Sequence, residues 1–501
     1  MREIIHIQAG SLPNYAGTHY WNTQESYFTY DDDHVSVADF SISFKEGRDT
    51  HKEPTLCPRL LAFDHKSNFG TLTKDPPVRV EEARNSQATW DGDVIHREQE
   101  QIAQSEYHSL LEHEDGLDSV EEGKVFDTKI RYWSDYSRVS FDPKSIQAVP
   151  DAFETVESNW SASQEIFRRY DEDTELMEGS LRLLIEDCHN FQGVQMIQDV
   201  PTFGGFSHSL LTAFRDEYPK ATILSFACLS NIAPNDVNLG NSLQIKQVLN
   251  DGLSMRSLGE LCDLTAPILP PPCWERGSWF SGHRIDHKSL YQSSAVLSSH
   301  LETATLPLRL RGSIENLQSF IGHLNWRQSS PFAVLGGTLY SQGSLIADDF
   351  QDIASLSLHS NGDHTSFARR DVYRGFSQED LAAFNTWNES HALREPIFRW
   401  DHLPSYPIPT SFPSIFPGPR PKALKMMSSL STSPSIAGSL SSFASFVESM
   451  AKRRDRALSA VGLEEDEVRE LANALWGLVD GYGENEDGDG HSSENLGEDE
   501  E

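Results

Sequence analysis

Residues 194–229, VQMIQDVPTFGGFSHSLLTAFRDEYPKATILSFACL, hold two strand-like segments separated by one amphipathic stretch. Residues 194–200 read as a strand, and the loop at 201–205 (PTFGG) leads into a helix with Leu210, Leu211 and Phe214 on one face. Residues 221–229, ATILSFACL, read as the next strand. Strand, helix, strand in that order implies a parallel pair joined by a right-handed crossover, and hence an α/β sheet.

Upstream, Leu181, Leu184, Ile185 and Cys188 recur at helical spacing. At the start, residues 3–8 form a short apolar, β-branched run; Ala9 and Gly10 make a turn, and a helix-like stretch reaches Trp21. Downstream, residues 294–301 read as helix, TLPLRLRG (305–312) as extended chain, and residues 314–324 as helix again. The α/β pattern continues to about residue 350.

The chain is 501 residues long, enough for two or three domains with cores of their own. No apolar run approaches the roughly 18 residues of a membrane span, so a soluble protein is expected. Seventy-six acidic against 41 basic residues give a formal charge of −35, which repels nucleic acid and anionic lipid and argues against direct nucleic-acid binding. Five cysteines without a C-x-x-C pair fit buried thiols in a reducing compartment. The first residues show neither a signal peptide nor a matrix-targeting presequence.

Residues 74–124 are rich in Glu, Gln, Asp and His and read as a long solvated insertion. The segment at 403–421, LPSYPIPTSFPSIFPGPRP, reads as a tether over the surface, because each proline removes a donor and fixes φ. Two helices close the fold, within 436–461 and at 464–479. The first carries Lys452, Arg453, Arg454 and Arg456 and reads as packed on the domain, the alternative being a membrane-surface helix. Residues 480–501 are acidic, Gly-rich and nearly devoid of apolar side chains, hence expected to be disordered. His283, Asp286 and His287 lack a second ligand pair and read as a polar loop. Ser207 and His208 are adjacent and point apart, and no G-x-S-x-G elbow supports hydrolase chemistry.

The opening MREIIHIQAGSLPNYAGTHYW resembles the start of tubulins, whose first strand delivers a glycine-containing turn to the nucleotide phosphates. Where tubulins continue with a polar turn, this chain has Ser11, Leu12, Pro13, Asn14 and Tyr15. A second resemblance, CHNFQG followed by DEYPKATILSF, sets residues 199–205 (DVPTFGG) against the tubulin glycine-rich phosphate loop, with Thr202 and Gly205 coinciding. Such a loop works through consecutive backbone N–H groups in conformations that glycine accepts. Here Pro201 lacks its N–H, Val200 and Phe203 add bulk, and Asp199 brings a carboxylate. Arg309 to Phe320, RLRGSIENLQSF, resembles the tubulin segment that completes a neighbouring subunit's site, with Glu315 as a conceivable counterpart of its acidic residue.

With YWSDYSRVSFDPKSI, these departures resemble the Misato family of tubulin/FtsZ-like proteins more than tubulins themselves. The resemblance implies a tubulin-like doubly wound parallel-sheet domain, a second α+β domain, C-terminal helices and a disordered acidic tail. The corresponding divisions are 1–120, 125–350, 351–402, the tether at 403–422, helices at 423–479 and the tail at 480–501. It also implies a role in mitochondrial partitioning and morphology and in inheritance of mitochondrial DNA, exercised in the cytoplasm and on the cytosolic face of the outer membrane. Expected partners are proteins, among them the cytosolic chaperonin and mitochondrial outer-membrane proteins. Gly10, Ser11, Asn14, Thr202, Gly204 and Gly205 mark the vestige of a nucleotide pocket. The expectation is a non-enzymatic protein without cofactor; the alternative is a GTP-binding, self-assembling GTPase.

Overall fold

The computed structural model describes residues 2–28, 36–48, 54–73, 102–103, 105–112, 130–150, 159–274, 282–340, 345, 354–357, 366–390, 397–453 and 462–483. The first sheet is built from β1 (Glu3–Ala9), β4 (Leu60–His65), β5 (Ile146–Val149), β6 (Phe191–Asp199), β7 (Thr222–Cys228) and β8 (Leu264–Ile268). A small hairpin of β2 (Phe44–Arg48) and β3 (Pro54–Pro58) precedes β4. The order is β5-β4-β1-β6-β7-β8, and every pairing is parallel. After β4 and β5 have been laid on one side of β1, the chain returns to its other side with β6. The direction of winding therefore reverses between β1 and β6.

Both faces of this sheet are covered, so residues on both sides of its strands are buried, polar ones such as His6, Gln8, Gln195 and Gln198 included. In β7, Ile223 and Ala227 join one core while Leu224, Phe226 and Cys228 join the other, as the two-residue period of a strand requires. The first core is closed by the helices Trp160–Thr174, Val200–Glu217, Ser242–Leu261, Ile436–Arg453 and Glu465–Asp480. On the other face lie the helices Ser11–Glu25 and Leu290–Thr305. Leu290–Thr305 is buried almost end to end, and Ser293, Ser298 and Ser299 keep it slim enough to run through the interior.

The second sheet is mixed, in the order β10-β9-β14-β11-β12, from β9 (Val334–Tyr340), β10 (Ala354–Ser355), β11 (Ala368–Arg374), β12 (Ile397–Leu403) and β14 (Ala423–Thr432). Here the structure redraws the expected divisions. Residues 334–340 belong to the second sheet rather than to the first, and 423–432, assigned to the C-terminal helices, form its central strand between β9 and β11. The proline-rich segment is no tether: β13 (Tyr406–Pro407) pairs with β14, and Tyr406, Phe412, Ile415 and Phe416 are buried in the second core. Its prolines rule out a long strand but not burial: between Tyr406 and Phe416 only Thr410 is exposed. TLPLRLRG is not extended either; it ends the Leu290–Thr305 helix in a 3-10 turn at Leu306–Leu308, and the next helix is only Leu317–Leu324.

Within the acidic insertion, Glu106–Glu112 is a helix with Tyr107 and Leu111 buried, and most of the remainder lies outside the described residues. The acidic tail starts later than expected, since Tyr482 is buried and its hydroxyl bonds both the N–H and the carbonyl of Phe332. Residues 484–501 lie outside the described residues. The Ile436–Arg453 helix packs Phe443, Phe446, Val447 and Met450 into the first core; Arg454 and Arg456 are not described. Among the described residues no helix is long and apolar enough to cross a membrane.

Among the described residues, His6, His19 and His300 are buried in this interior. Burial pushes His19 and His300 down to about 3, so both stay neutral in the folded protein. Unfolding exposes them to water, where they take up protons near pH 6.5. Their contribution to stability is therefore complete above about pH 6.5 and falls by about 1.4 kcal/mol per pH unit for each group as the pH drops towards 3. Urea unfolding at pH 7, 6 and 5 should show a shallower acid slope in His19→Gln, whose amide still reaches the Tyr291 carbonyl that His19 Nε2 meets at 2.9 Å. Parallel slopes would refute the assignment.

Candidate strand-switch site

In an open α/β sheet, ligands sit beyond the carboxyl ends of the strands where the winding reverses. In this chain that place is the crevice between Ala9 at the end of β1 and Asp199 at the end of β6. Each strand runs straight into a helix. Gly10 has φ +108° and is followed at once by the Ser11–Glu25 helix, with Pro13 in its first turn. Residues 201–205 are not a loop, because the helix begins at Val200 directly after β6. Pro201 sits at its first positions, where a missing N–H leaves no helical bond unmade.

The crevice is filled by side chains. A Cβ on Gly10 would stand 2.6 Å from Asp199 Cβ, 3.3 Å from Thr202 Oγ1 and 3.4 Å from Phe203 Cδ2. Thr202 donates its hydroxyl to Asp199 Oδ2 at 2.8 Å. The Asp199 carboxylate thus lies at the amino end of a helix, where a negative charge is favoured. Gly10 donates its N–H to the Phe63 carbonyl at 3.0 Å.

A second carboxylate, not singled out in the sequence, organises the neighbouring helix start. Asp64, near the end of β4, is fully buried. It accepts from Asn68 Nδ2 at 2.8 Å, from the His65 N–H at 2.9 Å, from Asn14 Nδ2 at 3.2 Å and from Ser11 Oγ at 3.4 Å. Asn14 also donates to the Phe63 carbonyl at 2.9 Å. Burial raises the Asp64 carboxyl above its ordinary range, against these hydrogen bonds. The available signal was an Asp near the end of an otherwise apolar strand, LLAFDH.

Of the six candidate residues, Gly10, Ser11, Asn14 and Thr202 gather at the switch, whereas Gly204 and Gly205 do not. A Cβ on Gly205 would stand 2.3 Å from the Trp160 carbonyl oxygen, and one on Gly204 would touch Ser254 Oγ and Trp160 Cζ3 at 3.1 Å. These glycines permit contact with neighbouring helices. Glu315 is also remote: it accompanies Arg2, which precedes β1, and so marks the edge of the sheet opposite Gly10. Seven strand residues separate the two, about 23 Å at 3.3 Å each. Its carboxylate pairs with Arg370 at 2.5 Å, and its carbonyl accepts from Arg2. His208 bonds Ser257 Oγ at 2.7 Å, not Ser207, and the His283 ring stands against Phe416 at 5.5 Å.

Residues 2–113 match the Misato Segment II tubulin-like domain, and residues 123–310 match the Tubulin domain. Protein DML1 of Gibberella zeae is 29% identical over 97% of this chain and 97% of its own length. Protein dml1 of Aspergillus niger is 29% identical over 95% of this chain and 98% of its own. Protein misato of Drosophila melanogaster is 26% identical over 64% of this chain and 62% of its own. The two model matches follow one another along the chain, and the two fungal relatives align over nearly its whole length. The chain belongs to the Misato family of tubulin-like proteins.

Proposed function

We propose that this chain is a non-enzymatic tubulin-like protein that has exchanged nucleotide chemistry for action through protein partners. Its proposed role is in the partitioning and morphology of mitochondria and the inheritance of mitochondrial DNA, from the cytoplasm and the cytosolic face of the outer membrane. The mitochondrial part and its outer-membrane partners rest on the family resemblance; the cytosolic chaperonin is inferred from the fold, since parallel sheets of high contact order fold slowly and expose aggregating surfaces.

The loss of nucleotide chemistry rests on one observation, the packing of Asp199, Thr202 and Phe203 against Gly10 at the strand switch. A phosphate needs free backbone donors and room at such a helix start. Asp199 takes that room, and a phosphate oxygen about 4 Å from its carboxylate would meet a repulsion of about 1–4 kcal/mol in water-like or surface surroundings. In effect the helix carries its own anion.

Titration calorimetry of the full chain with GTP and with GDP in the presence of magnesium is expected to give no binding heat at high micromolar nucleotide. Tight binding of either would overturn the reading and restore the GTPase alternative. In cells depleted of the protein, mitochondrial DNA content should fall and recover with the wild-type chain; unchanged content would remove the mitochondrial part alone.

A further inference from the structure

Beside the strand switch, and separate from the Gly10 crevice, a cavity of about 360 Å³ opens beyond the ends of β7 and β8. Its size falls within the range of small-ligand sites, which are mostly apolar with a few fixed polar groups. The apolar walls are Leu229, Ile232, Leu269 and Phe443, the last from the Ile436–Arg453 helix. Two carboxylates belong to the lining: Asp236, which is exposed, and Asp251, which is 1% exposed. No Lys, Arg or His is among the described residues that line it.

Asp251 is held in place rather than loosely packed. It accepts from the Ser230 N–H at 3.2 and 3.3 Å and from the Ser230 hydroxyl at 2.5 Å. An ionised carboxylate offers about four acceptor positions, so these bonds fix its direction without exhausting it. They also supply no positive charge. Burial, with Asp199 adding to it, pushes Asp251 up to about 7, the behaviour of an acid that lacks a counter-ion.

We propose that this cavity receives an alkylammonium or alkylguanidinium group, with Asp251 as its counter-ion and the Leu229, Ile232, Leu269 and Phe443 walls around the methylene stem. The same chemistry is presented by a lysine or arginine side chain of a partner protein and by a free aliphatic amine. The inference does not depend on whether nucleotide binds at the strand switch, because the two sites share no lining residue.

The test is titration of the full chain at pH 8, where Asp251 is ionised, with agmatine and with its neutral counterpart n-butanol. Saturable binding of agmatine, none of n-butanol, and at least tenfold weaker agmatine binding in Asp251→Asn are expected. The amide of Asp251→Asn can still accept from the Ser230 N–H and relieves a buried charge, so the variant should fold. Asp236→Asn, at an exposed part of the lining, should weaken binding by a smaller factor. Absence of saturable agmatine binding to the wild-type chain, or equal binding to Asp251→Asn, would overturn the proposal. A short arginine-containing peptide binding more tightly than agmatine would identify a partner's side chain as the source; the reverse order would identify a free amine, and either order supports the site.

Discussion

Glu302→Leu should lower the unfolding free energy by about 3–5 kcal/mol, the usual consequence of removing one member of a buried ion network. Glu302 and Arg374 are wholly buried and Arg309 is 1% exposed. One Glu302 oxygen accepts from Arg374 at 2.8 Å; the other accepts from Gln24 at 2.9 Å and Tyr27 at 3.0 Å, with Arg309 at 3.6 Å. Without the carboxylate, two guanidinium groups remain charged in the interior with only neutral acceptors, among them the Tyr27 hydroxyl and the Pro404 carbonyl for Arg374. The network also spans the two halves of the molecule, since Gln24 belongs to the helix after β1 and Arg374 to β11 of the second sheet. Urea unfolding followed by tryptophan fluorescence, with hydrogen exchange resolving the two sheets, measures both effects. A loss below about 1 kcal/mol would show that the carboxylate is dispensable to this joint.

Gly205→Ala is expected to destabilise the fold by about 1–3 kcal/mol, while Gly204→Ala should be neutral within about 1 kcal/mol. Both glycines lie inside the Val200–Glu217 helix, where alanine by itself favours the helix by about 1 kcal/mol. The difference lies in what the new methyl meets. At Gly205 it stands 2.3 Å from a backbone carbonyl of the Trp160–Thr174 helix and 2.9 Å from Ser163 Cβ, so two helices must separate. At Gly204 its nearest neighbours are side-chain atoms of Ser254 and Trp160 at 3.1 Å, which can yield by a few tenths of an ångström. Thermal and urea unfolding of both variants separates packing from phosphate binding as the reason for this pair. Equal and negligible losses would refute the packing account.

The same pair shows where the sequence could be followed and where it could not. The strand-like segments at 194–200 and 221–229, with an amphipathic stretch between them, are best buried as neighbouring parallel strands under a helix. The start of β1 and its glycine were equally legible, because a short run with three isoleucines ends at an Ala-Gly turn before a helix-like stretch. The placement of Gly204 and Gly205 was not legible: a glycine that lets a phosphate approach and one that lets a helix approach have the same letter. Asp64 was hidden for a related reason, since its partners Ser11, Asn14 and Asn68 are distributed over both sides of a strand crossing.

The proline-rich segment failed as a tether because composition excludes regular secondary structure without excluding burial. Tyr406, Phe412, Ile415 and Phe416 reach the second core from an irregular chain. Strand β14 was missed because ALKMMSSLST combines an apolar first half with serines that the sheet interior satisfies, as Ser428 does with His300 at 2.9 Å.

By itself the sequence determined the parallel α/β class, the first strand with its glycine turn, the β6–helix–β7 unit and the closing pair of helices, since each follows from local periodicity and the need to bury one face. Only the tertiary structure decided that Asp199 fills the strand switch, that Gly205 serves a helix contact, that residues 423–432 are a central strand and that Glu302 joins the two halves. Those outcomes depend on which distant side chains meet. Contact energies between residues far apart in the chain are fixed by the packing of the whole and leave no periodic trace in any one segment.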